Sequence, residues 1–123
     1  MINSFLATQI CLNFPHNPTV EQENAISVMA EFLSSPKNDS LLLLKGYAGT
    51  GKTSLVGALV KTLSALKLKT VLLAPTGRAA KVFSIYAGQK AYTIHKRIYR
   101  QKAFSNEPVG FLSAPNLHKD TIF

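Results

Sequence analysis

The stretch Gly46-Tyr47-Ala48-Gly49-Thr50-Gly51-Lys52-Thr53 decides how the rest of this 123-residue sequence is read. It meets every fixed position of the pattern G-x-x-x-x-G-K-[ST]. Glycines let the backbone curl closely round an anion and turn several N–H groups inward. A helix that starts at such a loop adds its positive N-terminal end. Lys52 is expected to reach the β- and γ-phosphates of a nucleotide, and Thr53 to place its hydroxyl on Mg²⁺. The nucleotide-binding set is therefore Gly46, Ala48, Gly49, Thr50, Gly51, Lys52 and Thr53, with Thr53 as the metal residue and Lys52 and Thr53 as the catalytic pair.

The motif has force only between a strand and a helix, and its flanks predict both. Leu41-Leu42-Leu43-Leu44 is a short, unbroken apolar run, expected to be a strand covered on both faces as in a parallel sheet. After the loop, Leu55, Leu59 and Leu63 line one side of a helix from about 52 to 66. Upstream, Val20, Ile26, Met29, Ala30 and Leu33 give one stripe over residues 20–34, with Thr19 as N-cap. Residues 1–18, closed by Pro15 and Pro18, read as an irregular lead-in, and 19–123 as one α/β domain. Downstream, Lys69 to Ala74 is a second buried strand ended by Pro75, followed by a short helix from Gly77 to Ala87. Another helix is expected from Thr93 to Gln101, with Thr93 as its cap. Residues 103–118 read as a loop or a hairpin, and Asp120 to Phe123 as the start of a third strand. Strand and helix in alternation imply an α/β fold with a parallel sheet and flanking helices.

Gln22 has two readings. Thr19 as N-cap with Gln22 three residues on fits a capping box. An amide can also donate to N7 and accept from N6 of adenine at once. Spacing by itself favours the cap.

The charge is +8, from 14 basic and 6 acidic residues, and it is unevenly spread. Residues 1–60 hold three lysines and four acids, whereas 61–123 hold eleven basic groups and two acids. No Asp or Glu lies between Asp39 and Glu107. A half of this kind suits a polyanion, though a solvated lysine-rich surface has the same composition. The start of the second helix region, Pro75-Thr76-Gly77-Arg78, follows the C-terminal end of a strand, where open α/β sheets bind ligands. The Thr76 hydroxyl with the Gly77 and Arg78 amides makes a second anion site there. Tyr86, Tyr92 and Tyr99 are interleaved with Lys96, Arg97, Arg100 and Lys102, as suits a single strand of nucleic acid whose bases stack. Core or rim positions for the tyrosines are the plainer alternative.

Other classes find little support. No apolar stretch approaches the roughly 20 residues that span a membrane. The first residues lack a basic n-region and a cleavage site, so no secretory leader is expected. One cysteine, Cys11, builds neither a staple nor a zinc site, and a reducing, cytoplasmic setting fits it. His16, His95 and His118 have no metal-ligand cluster around them. A P-loop ATPase also needs an acid after a buried strand. Only Glu107 and Asp120 follow the loop, and neither stands at such a position. The expectation is a piece cut before its catalytic acid, which binds nucleotide with little or no hydrolysis of its own.

Four pieces in order give a resemblance. Thr19-Val20-Glu21-Gln22 with Ala25-Ile26, then Gly46 to Thr53, then Ala74 to Ala80 as APTGRAA, then Thr93-Ile94-His95-Lys96, resemble the N-terminal part of superfamily 1 DNA helicases of the RecD-like group, which includes Dda-type enzymes. The resemblance implies a RecA-like motor domain, truncated before the end of its Walker B strand, that binds ATP and Mg²⁺ and moves on single-stranded DNA. It implies an adenine contact for Gln22, and single-strand phosphate contacts for Thr76, Gly77, Arg78, Thr93 and His95. It places a duplex-splitting hairpin near residues 103–118, with Phe104 or Phe111 near its tip. A small-molecule phosphotransferase, or a non-catalytic nucleic-acid-binding module with the same loop, are the alternatives from other classes.

Overall fold

The computed structural model describes residues 2–37, 39–101, 111–113 and 120–123. The chain forms two compact units, Met1–Lys67 and Leu68–Phe123.

The first unit is helical. Helix α1 (Ile2–Asn13) packs against α2 (Val20–Ser34) and α3 (Lys52–Ala65). Ile10, Phe14, Ile26, Met29, Leu55 and Ala58 share one buried cluster, with Leu42, Leu44 and Leu59 packed against it. The stripes expected for α2 and α3 supply this core: Ile26, Met29 and Ala30 are buried on α2, and Leu55 and Leu63 on α3. The N-terminal stretch corrects the sequence reading. Residues 2–13 are not an irregular lead-in but a helix, with Leu6 and Ile10 buried one turn apart and Phe14 buried just beyond its end. Asn13 fixes its last turn: Nδ2 donates to Gln9 O at 3.1 Å and to Thr62 Oγ1 at 3.0 Å. Thr62, 1 % exposed, in turn donates to Ala58 O at 2.9 Å, so a buried hydroxyl has both its roles filled.

The leucine run before the loop is also corrected. Residues 41–44 form no ladder among the described residues, though exposure alternates along them as in an extended chain. Leu41 is 91 % and Leu43 70 % exposed, while Leu42 and Leu44 face the core cluster. Extended backbone sends alternate side chains to opposite sides. Four leucines therefore have one buried side here, not two.

The second unit is the α/β part. Strand β1 (Leu72–Ala74) runs parallel to β2 (Ala91–Thr93), with Leu72 opposite Ala91 and Ala74 opposite Thr93. Helix α4 (Gly77–Ala87) connects them, at the bounds the sequence predicts, and buries Ala80 and Ala87. It ends at Gly88, whose φ of 65° is the left-handed conformation glycine adopts at helix ends. The predicted strand 69–74 is shorter as a ladder, but Thr70 pairs in parallel with Ile122. Val71 N donates to Ile122 O at 2.8 Å and Ile122 N to Lys69 O at 3.0 Å. Successive residues of a strand bond alternately left and right, so β2 and Ile122 lie on opposite edges of β1. On the β2 side, Gln89 continues the pairing with its amide: Nε2 donates to Thr70 O at 3.1 Å, and Oε1 accepts from Thr70 Oγ1 at 3.1 Å.

The helix predicted for 93–101 is divided. Helix α5 spans only Ile94–Ile98, and Thr93 closes β2 before capping it. Tyr99–Gln101 is strand β3, antiparallel to β4 (Phe111–Ser113), with Tyr99 opposite Ser113 and Gln101 opposite Phe111. A ladder bond captures residues whose local sequence suits a helix. Phe104 and Glu107 lie outside the described residues.

Candidate nucleotide and polyanion sites

Residues 46–53 form a tight turn that runs into α3. Gly49 and Gly51 both take positive φ, 80° and 84°, which L side chains rarely adopt. Gly46 and Gly51 are also hemmed in. A Cβ on Gly46 would lie 2.8 Å from Thr50 Oγ1, and one on Gly51 2.8 Å from Gln22 Nε2. Ala48 and Thr53 are exposed. The Tyr47 carbonyl is the hub of the turn: it accepts from Thr50 Oγ1 at 2.7 Å, from Lys52 Nζ at 2.7 Å and from Thr50 N at 3.4 Å. Lys52 Nζ also donates to Gly46 O at 2.5 Å. The lysine thus folds over its own loop, its ammonium satisfied by loop carbonyls. Tyr47 was no candidate by sequence, because its part is played by a backbone atom that carries no residue signature.

Helix starts separate the loop from its surroundings. Thr19 caps α2 by accepting from Gln22 N at 3.3 Å. Thr76 caps α4 by accepting from Ala79 N at 3.1 Å, and Thr93 caps α5 by accepting from Lys96 N at 3.2 Å. Helix α3 begins at Gly51 with no side-chain cap. Its first N–H groups have no intrahelical acceptor and lie beside a lysine. A phosphate group fits that donor set: uncapped amides, an ammonium, and glycines where a side chain would intrude.

Gln22 is where the capping reading is met in full. Its Oε1 accepts from Thr19 N at 2.9 Å, completing the reciprocal box. Its Nε2 donates across to Thr50 O at 3.2 Å, a contact spacing could not reveal.

In the second unit, the register puts Ala74 beside Thr93 at the C-terminal end of the parallel pair. Thr76-Gly77-Arg78 and Thr93-Ile94-His95 therefore leave from the same sheet edge. The Thr76 hydroxyl accepts from Ala79 N and keeps its own proton to donate, beside the Gly77 and Arg78 amides. His95 and Arg78 are exposed. Tyr92 is half-buried, with Arg97 Cζ 4.1 Å and Lys90 Nζ 5.2 Å from its ring centroid. Lys90 was not among the sequence candidates; its spacing of two from Tyr92, one face of a strand, is the signal that finds it. Among the described residues, no trio of His, Cys, Asp or Glu could hold a metal ion, and no helix is long and apolar enough to cross a membrane.

A loop of this sequence at the start of an uncapped helix defines a P-loop protein, and the comparisons agree. Residues 19–122 match the family described as the AAA domain, and the chain belongs to it. Over 78 residues it is 35 % identical to "ATP-dependent DNA helicase dda" of Enterobacteria phage T4. That match covers 63 % of this chain and 17 % of the phage protein, so the chain spans a small part of its relative's length. No solved structure matches it at a significant level.

Proposed function

We propose that this chain is the nucleotide-binding part of a RecA-like motor domain in an ATP-dependent DNA helicase or translocase. The observation that carries the reading is the loop 46–53 closing on Lys52 at the uncapped start of α3. The loop amides and Lys52 would hold the ATP phosphates, and the Thr53 hydroxyl is offered to Mg²⁺. Bound ATP supplies the anhydride whose cleavage drives such motors. Gln22 keeps one amide hydrogen and one oxygen lone pair uncommitted, enough for an adenine edge.

The sheet edge carrying Thr76, Gly77, Arg78, Thr93 and His95 would grip the phosphates of single-stranded DNA. Its unit holds nine basic and two acidic residues, a net of +7. The printed activity of the phage relative supports DNA as the polymer. Asp120, exposed and with a φ of 49°, precedes the Ile122 bridge and does not take the place of a catalytic acid at a strand end. Little ATP turnover is expected from these residues alone.

The test is ATP turnover by this sequence with its natural continuation through both motor domains, with and without single-stranded DNA. Strong stimulation is the expected result. Turnover indifferent to DNA would remove the helicase reading and return the question to small-molecule phosphate acceptors.

A further inference from the structure

We propose that Gln22 is a positioning residue for the triphosphate: besides any contact with the base, it holds the phosphate loop in shape. The inference rests on the reading of residues 46–53 as a phosphate site. Three contacts point to it. Gln22 Oε1 is tied to the first turn of α2 through Thr19 N at 2.9 Å. Its Nε2 reaches Thr50 O at 3.2 Å, between the two loop glycines of positive φ. The same Nε2 lies 2.8 Å from where a Cβ of Gly51 would stand, so the amide abuts the residue that turns the chain into α3. One planar group thus braces the loop against a capped helix. Elsewhere the loop's side-chain bonds are internal, from Thr50 and Lys52 to Gly46, Tyr47 and Thr50. Gln22 gives the loop an anchor outside itself. A preorganised ring of amides binds an anion without first having to be ordered, and the brace supplies that order.

The cap and the brace separate by mutation. Thr19→Ala removes the hydroxyl that accepts from Gln22 N, but leaves the Thr19 N–H for Oε1 and the Nε2 contact intact. Gln22→Met is neutral and of similar length, and can make neither amide bond. Wild type, Thr19→Ala, Gln22→Met and Lys52→Ala of the full 123-residue chain are titrated calorimetrically with the magnesium complexes of ATP, GTP and inorganic tripolyphosphate. Gln22→Met is expected to weaken all three, tripolyphosphate by about three- to tenfold for a lost hydrogen bond and ATP by at least as much. Thr19→Ala is expected to stay near wild type. A loss confined to ATP would make Gln22 a base contact alone and overturn the proposal. No loss, or equal losses in Gln22→Met and Thr19→Ala, would leave only the cap and overturn it too. Failure of the underlying site reading looks different: wild type would bind no tripolyphosphate, or Lys52→Ala would bind it equally well. A second measurement needs no ligand. The Gly51 amide shares a peptide group with Thr50 O, so its nuclear magnetic resonance shift should move in Gln22→Met and stay in Thr19→Ala; an unmoved shift in Gln22→Met denies the brace.

Discussion

Lys52 shows how much one side chain settles in the phosphate loop. Its ammonium bonds to Gly46 O and Tyr47 O, and binding an anion would exchange one set of oxygens for another. The charged hydrogen bond is worth more to a phosphate than to a carbonyl. Lys52→Ala should therefore weaken Mg-ATP binding roughly ten- to a hundredfold by calorimetry, the scale of bonds to charged groups. Its urea midpoint should hardly move, because the bonds it loses lie at the surface. The glycines make a sharper comparison. Gly49 and Gly51 share the same backbone region, but only Gly51 has an atom within 4 Å of an added Cβ. Gly49→Ala should cost about 1 kcal/mol, the price of a left-handed alanine. Gly51→Ala would in addition push the end of the Gln22 side chain off Thr50 O, so it should cost about 1 kcal/mol more, and urea unfolding of the two variants measures the difference.

Among the elements, α1 holds the helical unit together from a position that gave little warning. Ile10 is fully buried in the shared cluster. Ile10→Ala should destabilise the chain by about 2–5 kcal/mol, the usual cost of emptying such a place, read from chemical denaturation. The apolar stripes of α2 and α3 were plain in the sequence, and α4 was placed there between Pro75 and Ala87 without one. Helix α1 hid because Asn3, Gln9 and Asn13 interrupt its apolar residues, and the bond that rewards Asn13 comes from Thr62 on another helix. Leu41–Leu44 misled in the opposite sense. Composition says apolar, but whether two faces are covered depends on neighbours far along the chain, and Leu41 and Leu43 lack that cover. Strands β2 and β3 have three residues each, too few for a period to show. The site divided along the same line. The loop and the threonine caps at 19 and 93 were legible because each is a local pattern; the cap at Thr76 was read as an anion ligand instead. Gln22 on Thr50 O, and the Ala74–Thr93 register, join distant residues and were not.

At the scale of the molecule, charge is the feature with a measurable signature. Seven net positive charges fall in the second unit, whereas the first carries five lysines against four acids. If the α/β unit grips a single strand by its phosphates, binding must weaken steeply as salt rises. About four phosphate contacts would reduce affinity for oligo(dT) roughly fiftyfold between 50 and 200 mM salt. Fluorescence anisotropy over that range tests it, and a flat profile would contradict a phosphate grip. Arg97→Ala should lower the slope if the guanidinium over Tyr92 also serves a phosphate, and leave it unchanged if the ring contact is its whole part.

The bridge between Thr70 and Ile122 has a consequence for the way the chain is born. A ribosome delivers β1, α4 and β2 well before it delivers Ile122, so one edge of β1 is complete while the other still waits. During that interval the Val71 amide and the Lys69 carbonyl have no protein partner on their side. They are open to a strand from any neighbouring nascent chain. Slower translation between residues 94 and 122 would lengthen this exposure without changing a single amino acid. Synonymous codon choice in that stretch should then alter the soluble yield of the protein.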